Sequence, residues 1–143
     1  VNRTTWLGGI DVPATKITDA ETSEISVKKQ TNTQTRLVAS GSHRAERDEK
    51  FAKELGEHEL VRMGSSLKAC IVAEGSADLY PRFGPTSCWD IAAAHAVVEA
   101  AGGFVISPQC EPLVYDLVDE VLNPYFLVAC STKWNDIWAQ NQD

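Results

Sequence analysis

One segment constrains the fold more than any other: residues 90–101 read as a helix that is apolar on nearly every side. Such a helix has no polar face to leave in water, so it must be buried between other layers of structure. Gly102-Gly103 directly after it predict the end of the helix, because glycine readily adopts the left-handed conformation that closes helices. We therefore expect a layered domain with this helix inside it.

Short strands and helices alternate along most of the chain. The predicted strands are residues 36–40, 57–63, 77–83, 104–107, 113–115 and 125–130, and the predicted helices are residues 44–55, 65–73, 90–101 and 134–140. This alternation predicts an α/β domain with helices packed on a mostly central sheet.

Residues 1–34 differ in character from the rest. The predicted strands there are residues 4–7, 10–15 and 23–29, joined by glycine turns and an acidic connector. They have little apolar content, so we expect them to belong to a sheet whose other strands lie upstream. The polar stretch 28–35 reads as a linker, and it separates remnant strands at 1–34 from an α/β domain at 35–143. The chain starts at Val1, in what reads as the interior of a strand, so we expect it to begin in mid-structure.

Composition excludes several classes of protein. With 143 residues, 43% of them apolar, the chain can close about one hydrophobic core. It has 13 basic and 20 acidic residues, a net charge of −7, and this charge repels a polyanion, so we do not expect nucleic-acid binding. No stretch approaches the ~20 apolar residues of a membrane span, and the start lacks the pattern of a signal peptide. We expect a cytoplasmic protein, with a peripheral position at the inner membrane as the alternative.

Residues 64–68, Gly-Ser-Ser-Leu-Lys, open the second predicted helix. Helix N-termini attract anions, and the hydroxyl groups of Ser65 and Ser66 add donors. Lys68 in the first turn opposes the helix dipole by ~0.3–1 kcal/mol unless an anion lies nearby. A bound phosphate would remove the conflict, but a plain serine cap with an exposed lysine is the simpler interpretation.

Two further motifs place polar side chains at strand ends. Arg82 stands in Tyr-Pro-Arg-Phe-Gly-Pro, where its planar guanidinium is available for a phosphate or a carboxylate, although a surface arginine is the usual case. His43 follows a predicted strand, and ligands gather at the carboxyl ends of strands in α/β sheets. Capping of the next helix by Ser42 explains the same residues more simply.

Asp90 begins the apolar helix, so we expect a buried carboxylate that needs backbone amides, a cation or a metal as its partner. Capping of the helix is the simpler interpretation. We expect His95, on the same helix, to be a core residue with Glu99 as its hydrogen-bond partner.

Together, these motifs resemble those of the CysQ-type 3'(2'),5'-bisphosphate nucleotidases of the inositol monophosphatase superfamily. The motifs are Gly-Ser-His at 41–43, Gly-Ser-Ser-Leu-Lys at 64–68, Tyr-Pro-Arg-Phe-Gly-Pro at 80–85, the Trp-Asp helix with its glycine pair at 89–103, and Leu-Asn-Pro-Tyr-Phe at 122–126. The Trp-Asp element is typical of the whole superfamily, while Lys68 and Arg82 favour the nucleotidase branch. The resemblance implies the layered α-β-α C-terminal domain of the inositol monophosphatase-like (sugar phosphatase) fold, plus orphan strands of the N-terminal sheet.

Members of that family remove the 3'-phosphate of adenosine 3',5'-bisphosphate, giving AMP and phosphate, with Mg²⁺ as cofactor. The resemblance implies that Asp90 binds Mg²⁺ and orients the substrate. It also implies that His43, Ser65, Lys68 and Arg82 contact the nucleotide and its second phosphate. A role in sulfate assimilation or nucleotide recycling would follow.

The family's other metal ligands, a glutamate and a DPxDGT-type element, have no counterpart here. We therefore expect the chain to be inactive without the missing N-terminal half. An inositol monophosphatase-like phosphatase and a non-catalytic nucleotide-binding or interaction module are the alternatives. Unpaired strand edges would favour self-association.

Overall fold

The computed structural model describes residues 3–29, 33–40, 45–116 and 121–142, which form two β-sheets and four α-helices. The first sheet contains β1 Thr4–Gly9, β2 Val12–Thr18 and β3 Thr22–Glu24. The second contains β4 Thr35–Ala39, β5 His58–Arg62, β6 Leu79–Arg82, β7 Phe104–Ile106 and β8 Phe126–Ala129. The helices are α1 Glu46–Leu55, α2 Leu67–Ala73, α3 Cys88–Ala100 and α4 Asn135–Gln140, with a 3₁₀ turn at Thr132–Trp134 before α4.

The first sheet is antiparallel, in the order β1-β2-β3. Its third strand is shorter than the predicted strand at 23–29, because the chain leaves the sheet after Glu24. Val27 is buried and donates its N–H to the carbonyl of Ala101 at 3.0 Å. Lys28 forms an ion pair of 3.0 Å with the buried carboxylate of Asp78. These contacts join residues 27–28 to the second sheet and its helices, and the division of the chain at residue 34 stays a prediction.

The second sheet has the order β5-β4-β6-β8-β7, in which β4, β5 and β6 are parallel and β8 is antiparallel to its neighbours. The predicted strand at 113–115 is wrong. The chain turns back at residues 107–110 and touches β7 at one bridge, between Ile106 and Pro112. Leu113 is buried there and donates its N–H to Val105, but no continuous ladder forms.

Helices α2 and α3 lie side by side between the two sheets, and α3 contacts β1 and β2 on one side and β7 on the other. The predicted layered α/β architecture is therefore confirmed. On the other face of the second sheet, Phe51 of α1 and Trp138 of α4 pack their rings against Phe83. None of the helices in the described part of the chain combines the length and hydropathy that a membrane crossing requires.

The expectation that α3 is buried throughout is wrong for its first turn. Ile91, Val97 and Val98 are buried, whereas Trp89 is 70% exposed and Asp90 is also exposed. Ala93 and Glu99, further along the helix, are exposed as well. Asp90 is thus one of the positions of α3 that the described layers leave uncovered.

The packing of α3 depends on a glycine at its C-terminal end. A Cβ on Gly103 would lie 2.9 Å from methyl carbons of both Val27 and Val98. We expect Gly103→Ala to lower the free energy of unfolding by about 1–3 kcal/mol, because a packed layer must move to admit the methyl group. Chemical denaturation measures this. Gly9→Ala is the control, since a Cβ there has no neighbour within 4 Å, and equal losses in the two variants would contradict the packing argument.

Candidate active site

A cavity of about 310 Å³ opens between the end of β6 and the first turns of α2 and α3. It is lined by four of the predicted site residues, Ser65, Lys68, Arg82 and Asp90. The fifth, His43, lies outside the described residues. The structure thus brings together side chains from three elements that the sequence separates by up to 25 positions.

Lys68 is buried, with 6% of its surface exposed, so the expected exposed lysine is wrong. Its Nζ lies 5.3 Å from the centre of the Tyr80 ring, a cation–π distance. Burial, followed by the charge of Arg82, lowers the pKa of Lys68 from its ordinary value. Among the described residues, no carboxylate forms an ion pair with it. The cavity therefore holds a buried amine next to a second cation.

The guanidinium of Arg82 is only partly satisfied. Its Nη2 donates a long hydrogen bond of 3.5 Å to the carbonyl of Pro85. Its Nε is buried and has no hydrogen-bond partner in the described part of the chain. Gly84 leaves the space that the guanidinium occupies, because a Cβ there would lie 3.1 Å from Nη2. Arg82 can therefore bind an anion at the cost of this long bond and of its contact with the Tyr80 hydroxyl.

Tyr80 is a site residue that the sequence interpretation missed. It stands two positions before Arg82 on β6, so both side chains lie on the same face of the sheet. Burial raises the pKa of the Tyr80 hydroxyl, Arg82 partly offsets this, and the charges of Asp48 and Asp90 raise it further. The phenol therefore stays protonated at neutral pH and can donate a hydrogen bond. The period-two spacing with Arg82 was the available signal.

Ser65 and Ser66 both line the cavity, but neither forms the predicted side-chain cap. Helix α2 begins at Leu67, and Ser66 makes no side-chain capping bond. Ser65 has a φ of 56°, the left-handed conformation that is uncommon for a residue with a side chain. Both serines are exposed and line the cavity, and neither side chain caps α2 within the part of the chain that the structure describes.

Asp90 is exposed at the cavity, and the expectation of a buried carboxylate is therefore wrong. Its Oδ2 accepts a hydrogen bond of 2.8 Å from the N–H of Ser87, in the capping box of α3. Asp90 thus takes part in capping as the third helical residue, with Ser87 as the N-cap. The same carboxylate lines the cavity with Lys68 and Arg82, and its role there stays a prediction.

The described residues do not build a magnesium site. No group of three or more His, Cys, Asp or Glu side chains within the described ranges has the arrangement needed to hold a metal ion. Mg²⁺ requires nearly octahedral oxygen coordination, and Asp90 is the one carboxylate among the residues that line this cavity. The side chains present therefore supply at most one corner of such a site.

A second cavity, of about 340 Å³, lies on the other side of the end of β6. Ser40, Asp48 and Phe83 line it, and Tyr80 and Arg82 line both cavities. His95 is not part of either cavity. It is buried between Tyr115 and Glu99, with its ring nitrogens 2.7 Å and 2.8 Å from their oxygens, as expected of a satisfied core histidine.

Comparison with known proteins places this arrangement in a family. The model of the inositol monophosphatase family matches residues 8–136. The 3'(2'),5'-bisphosphate nucleotidase CysQ of Escherichia coli K12 is 50% identical over 93 residues, which cover 65% of this chain and 38% of that protein. The enzyme of the same name from Buchnera aphidicola is 51% identical over 69 residues, covering 48% of this chain and 26% of that protein.

Solved structures agree with the sequence matches. The crystal structure of CysQ from Bacteroides thetaiotaomicron, a bacterial member of the inositol monophosphatase family, superposes with a TM-score of 0.72 at 35% identity, covering 83% of this chain and 51% of that one. Mycobacterium tuberculosis SuhB shares the fold, with a TM-score of 0.71 at 19% identity, covering 97% of this chain and 54% of that one.

The chain spans between about a quarter and a half of the length of the relatives described here. The family model nevertheless matches most of its residues, and the Trp-Asp helix with its glycine pair lies inside the matched range. By sequence and by fold, the chain belongs to the inositol monophosphatase family.

Proposed function

We propose that this chain is part of a phosphatase that hydrolyses the 3'-phosphate of adenosine 3',5'-bisphosphate, and that the cavity at the end of β6 binds the nucleotide. The observation that carries the proposal is the pair of cations, Lys68 and Arg82, in one cavity. Among the described residues that line this cavity, the exposed Asp90 is the one carboxylate. The two CysQ relatives described above are named as nucleotidases for this class of substrate.

Two cations in one cavity suit a ligand with two phosphates. A buried amine that is repelled by a neighbouring guanidinium gains stability when an anion binds between or beside them. Arg82 offers a planar fork for two phosphate oxygens, and Lys68 acts as a point charge. Tyr80, Ser65 and Ser66 add hydroxyl donors at the same cavity. We assign these groups to binding of the phosphates and the sugar, with the non-reacting phosphate held by Lys68 and Arg82.

Asp90 has a different role in this proposal. Its Oδ2 is already hydrogen-bonded to Ser87, which fixes the orientation of the carboxylate at the cavity mouth. We propose that it supplies one ligand of a magnesium site and orients the substrate. Magnesium in such a site would supply charge neutralisation and an activated water. Its other ligands lie outside the described residues, so we propose that the chain needs further parts of the protein for catalysis.

An inositol phosphatase is the alternative within the same family. Lys68 and Arg82 argue against it, because a substrate with a single phosphate gives no reason for two cations beside the proposed metal. A binding module without activity is the alternative from another class. Four expectations from the sequence remain predictions. They are the contact of His43 with the nucleotide, the link to sulfate assimilation, self-association through unpaired strand edges, and a cytoplasmic location.

The first prediction from the proposed function concerns the buried amine. Lys68→Met keeps the length of the side chain and removes the charge, so we expect affinity for adenosine 3',5'-bisphosphate to fall at least about tenfold, the typical effect of losing a charge-assisted hydrogen bond. Isothermal titration calorimetry on the purified chain measures the affinity. The stability of the ligand-free chain should not fall, because the substitution removes a desolvated cation next to Arg82.

Lys50→Met is the matched control, because Lys50 lies on the surface of α1 with 54% of its side chain exposed. We expect it to leave the affinity within about twofold, the effect of a distant surface charge screened by salt. Equal losses of affinity in the two lysine variants would argue against a specific anion site.

The second prediction concerns the pH dependence of Lys68. Only the neutral amine reacts with formaldehyde, and burial lowers the pKa of Lys68. Reductive methylation of Lys68 should therefore set in at a lower pH than that of an ordinary lysine side chain. Bound phosphate favours the charged amine, so it should raise the midpoint for Lys68. Mass spectrometry of peptides after labelling between about pH 6 and pH 10 follows both effects. A midpoint for Lys68 that phosphate leaves unchanged would contradict an anion site at this amine.

The third prediction concerns turnover. We expect the purified chain, supplied with Mg²⁺, to release no more phosphate from adenosine 3',5'-bisphosphate or from inositol phosphate than its Asp90→Asn variant does. A phosphate-release assay tests this directly. Magnesium-dependent turnover that Asp90→Asn abolishes would show that the chain completes the metal site by itself, and the proposed need for further ligands would be wrong.

A further inference from the structure

We propose that Asn123 is a positioning residue, which holds the turn before α3, and with it Asp90, at a fixed place relative to Arg82. The inference rests on the proposed function of the cavity and goes beyond it, because Asn123 does not line the cavity. It assigns a role to the Leu-Asn-Pro-Tyr-Phe motif at 122–126, which we call the strut.

At its start, the strut pairs with the turn that leads into α3. The N–H of Cys88 donates to the carbonyl of Val121 at 2.8 Å, and the N–H of Asn123 donates to the carbonyl of Thr86 at 2.8 Å. Ser87 and Leu122 form the antiparallel bridge between these two bonds. The backbone of the turn is therefore fixed on one side by the strut.

The side chain of Asn123 adds one bond to this ladder. Its Nδ2 donates to the Thr86 hydroxyl at 3.2 Å. Thr86 itself lines the cavity, and the next residue, Ser87, donates its N–H to Oδ2 of Asp90 at 2.8 Å. A continuous chain of covalent and hydrogen bonds thus runs from Asn123 to the carboxylate at the cavity.

At its end, the strut becomes β8, which pairs with the strand that carries the arginine. Phe126 lies opposite Arg82 in the register of β6 and β8, lines the cavity, and packs its ring 5.9 Å from that of Tyr80. Pro124, between the two ends, has a fixed φ and stiffens the link. Asn123 is bonded to the turn before Asp90, which forms one wall of the cavity, and Phe126 is paired with Arg82, which forms the opposite wall. Three peptide bonds separate Asn123 from Phe126.

This arrangement has a consequence that depends on the ligand. Inorganic phosphate needs only Lys68 and Arg82. Among the described residues, their hydrogen bond to the turn before α3 is the long one of 3.5 Å from Arg82 to the carbonyl of Pro85. A nucleotide that contacts both the cations and Asp90 needs the two walls at the correct separation. Loss of the bond between Asn123 and Thr86 should therefore weaken nucleotide binding more than phosphate binding.

The experiment compares Asn123→Ala, Thr86→Val and the double variant. We expect each single variant to weaken binding of adenosine 3',5'-bisphosphate about three- to tenfold, the usual effect of losing one hydrogen bond. The double variant should lose no more than either single variant, because both substitutions remove the same bond. Affinity for inorganic phosphate should change by less than about twofold in Asn123→Ala, in keeping with intact cations.

Asn141→Ala is the control for a purely structural effect. Asn141 is also an asparagine with side-chain hydrogen bonds, but these run to Glu54 and Ile137, away from the cavity. It should lower the thermal stability and leave the ratio of nucleotide to phosphate affinity unchanged. If Asn123→Ala also lowers thermal stability alone, with that ratio unchanged, the positioning role is wrong. Additive losses in the double variant would overturn it as well.

Amide hydrogen exchange separates this inference from the proposed function. The Ser87 amide should exchange faster in Asn123→Ala than in the parent chain, whether or not a ligand binds, because its bond to Asp90 depends on the turn. Unchanged exchange at Ser87 would overturn the positioning role. A parent chain that binds neither ligand would instead overturn the proposed function, while the exchange at Ser87 would still decide the role of Asn123.

Discussion

The site depends on the packing of α3 between two sheets. Gly8 of β1 lets that strand approach the helix closely, since a Cβ there would lie 3.0 Å from the Cβ of Ala100. Gly103 allows a second close approach at the same, C-terminal end of the helix, where Val27 and Val98 pack against it. Because both flanking layers are in contact with α3, its axis cannot shift, and the position of its first turn follows. Asp90 therefore projects from a turn of the helix that the described layers leave partly open.

The cations at the end of β6 lie in an unfavourable environment of the ligand-free chain. Lys68 loses hydration and is repelled by Arg82, while the buried Nε of Arg82 lacks a partner in the part of the chain that the structure describes. The ring of Tyr80 and the carbonyl of Pro85 compensate only partly. Two such cations lower the stability of the ligand-free chain, and a bound anion would restore it. This is expected of a binding site, because residues that are selected for function often reduce the stability of the fold.

The sequence predicted the layers well, because the apolar helix, its glycine pair and the alternation of strands and helices are local patterns. Four of the five predicted site residues line one cavity, since element ends with charged side chains are also visible in the sequence. The errors have a common cause. Strand 113–115, the burial of Asp90 and the exposure of Lys68 all depend on which element packs against which, and a local pattern carries no information about such contacts.

The proposed chemistry has two parts, a pair of cations that binds an anion and a metal site that activates water. The described residues of this chain contain the first part more completely than the second. The cation pair is assembled from α2 and β6, which pack against each other, so it needs nothing beyond the second sheet and its helices. For the proposed metal site, in contrast, the cavity supplies one carboxylate, on the exposed turn of α3. In the proposed function, binding of the anion and activation of the attacking water would therefore be separable. The strut at 122–126 connects them, since it ties the turn that carries Asp90 to the strand that carries Arg82. A carboxylate held in this way has a fixed orientation before any further ligand arrives, which lowers the entropic cost of completing a metal site around it.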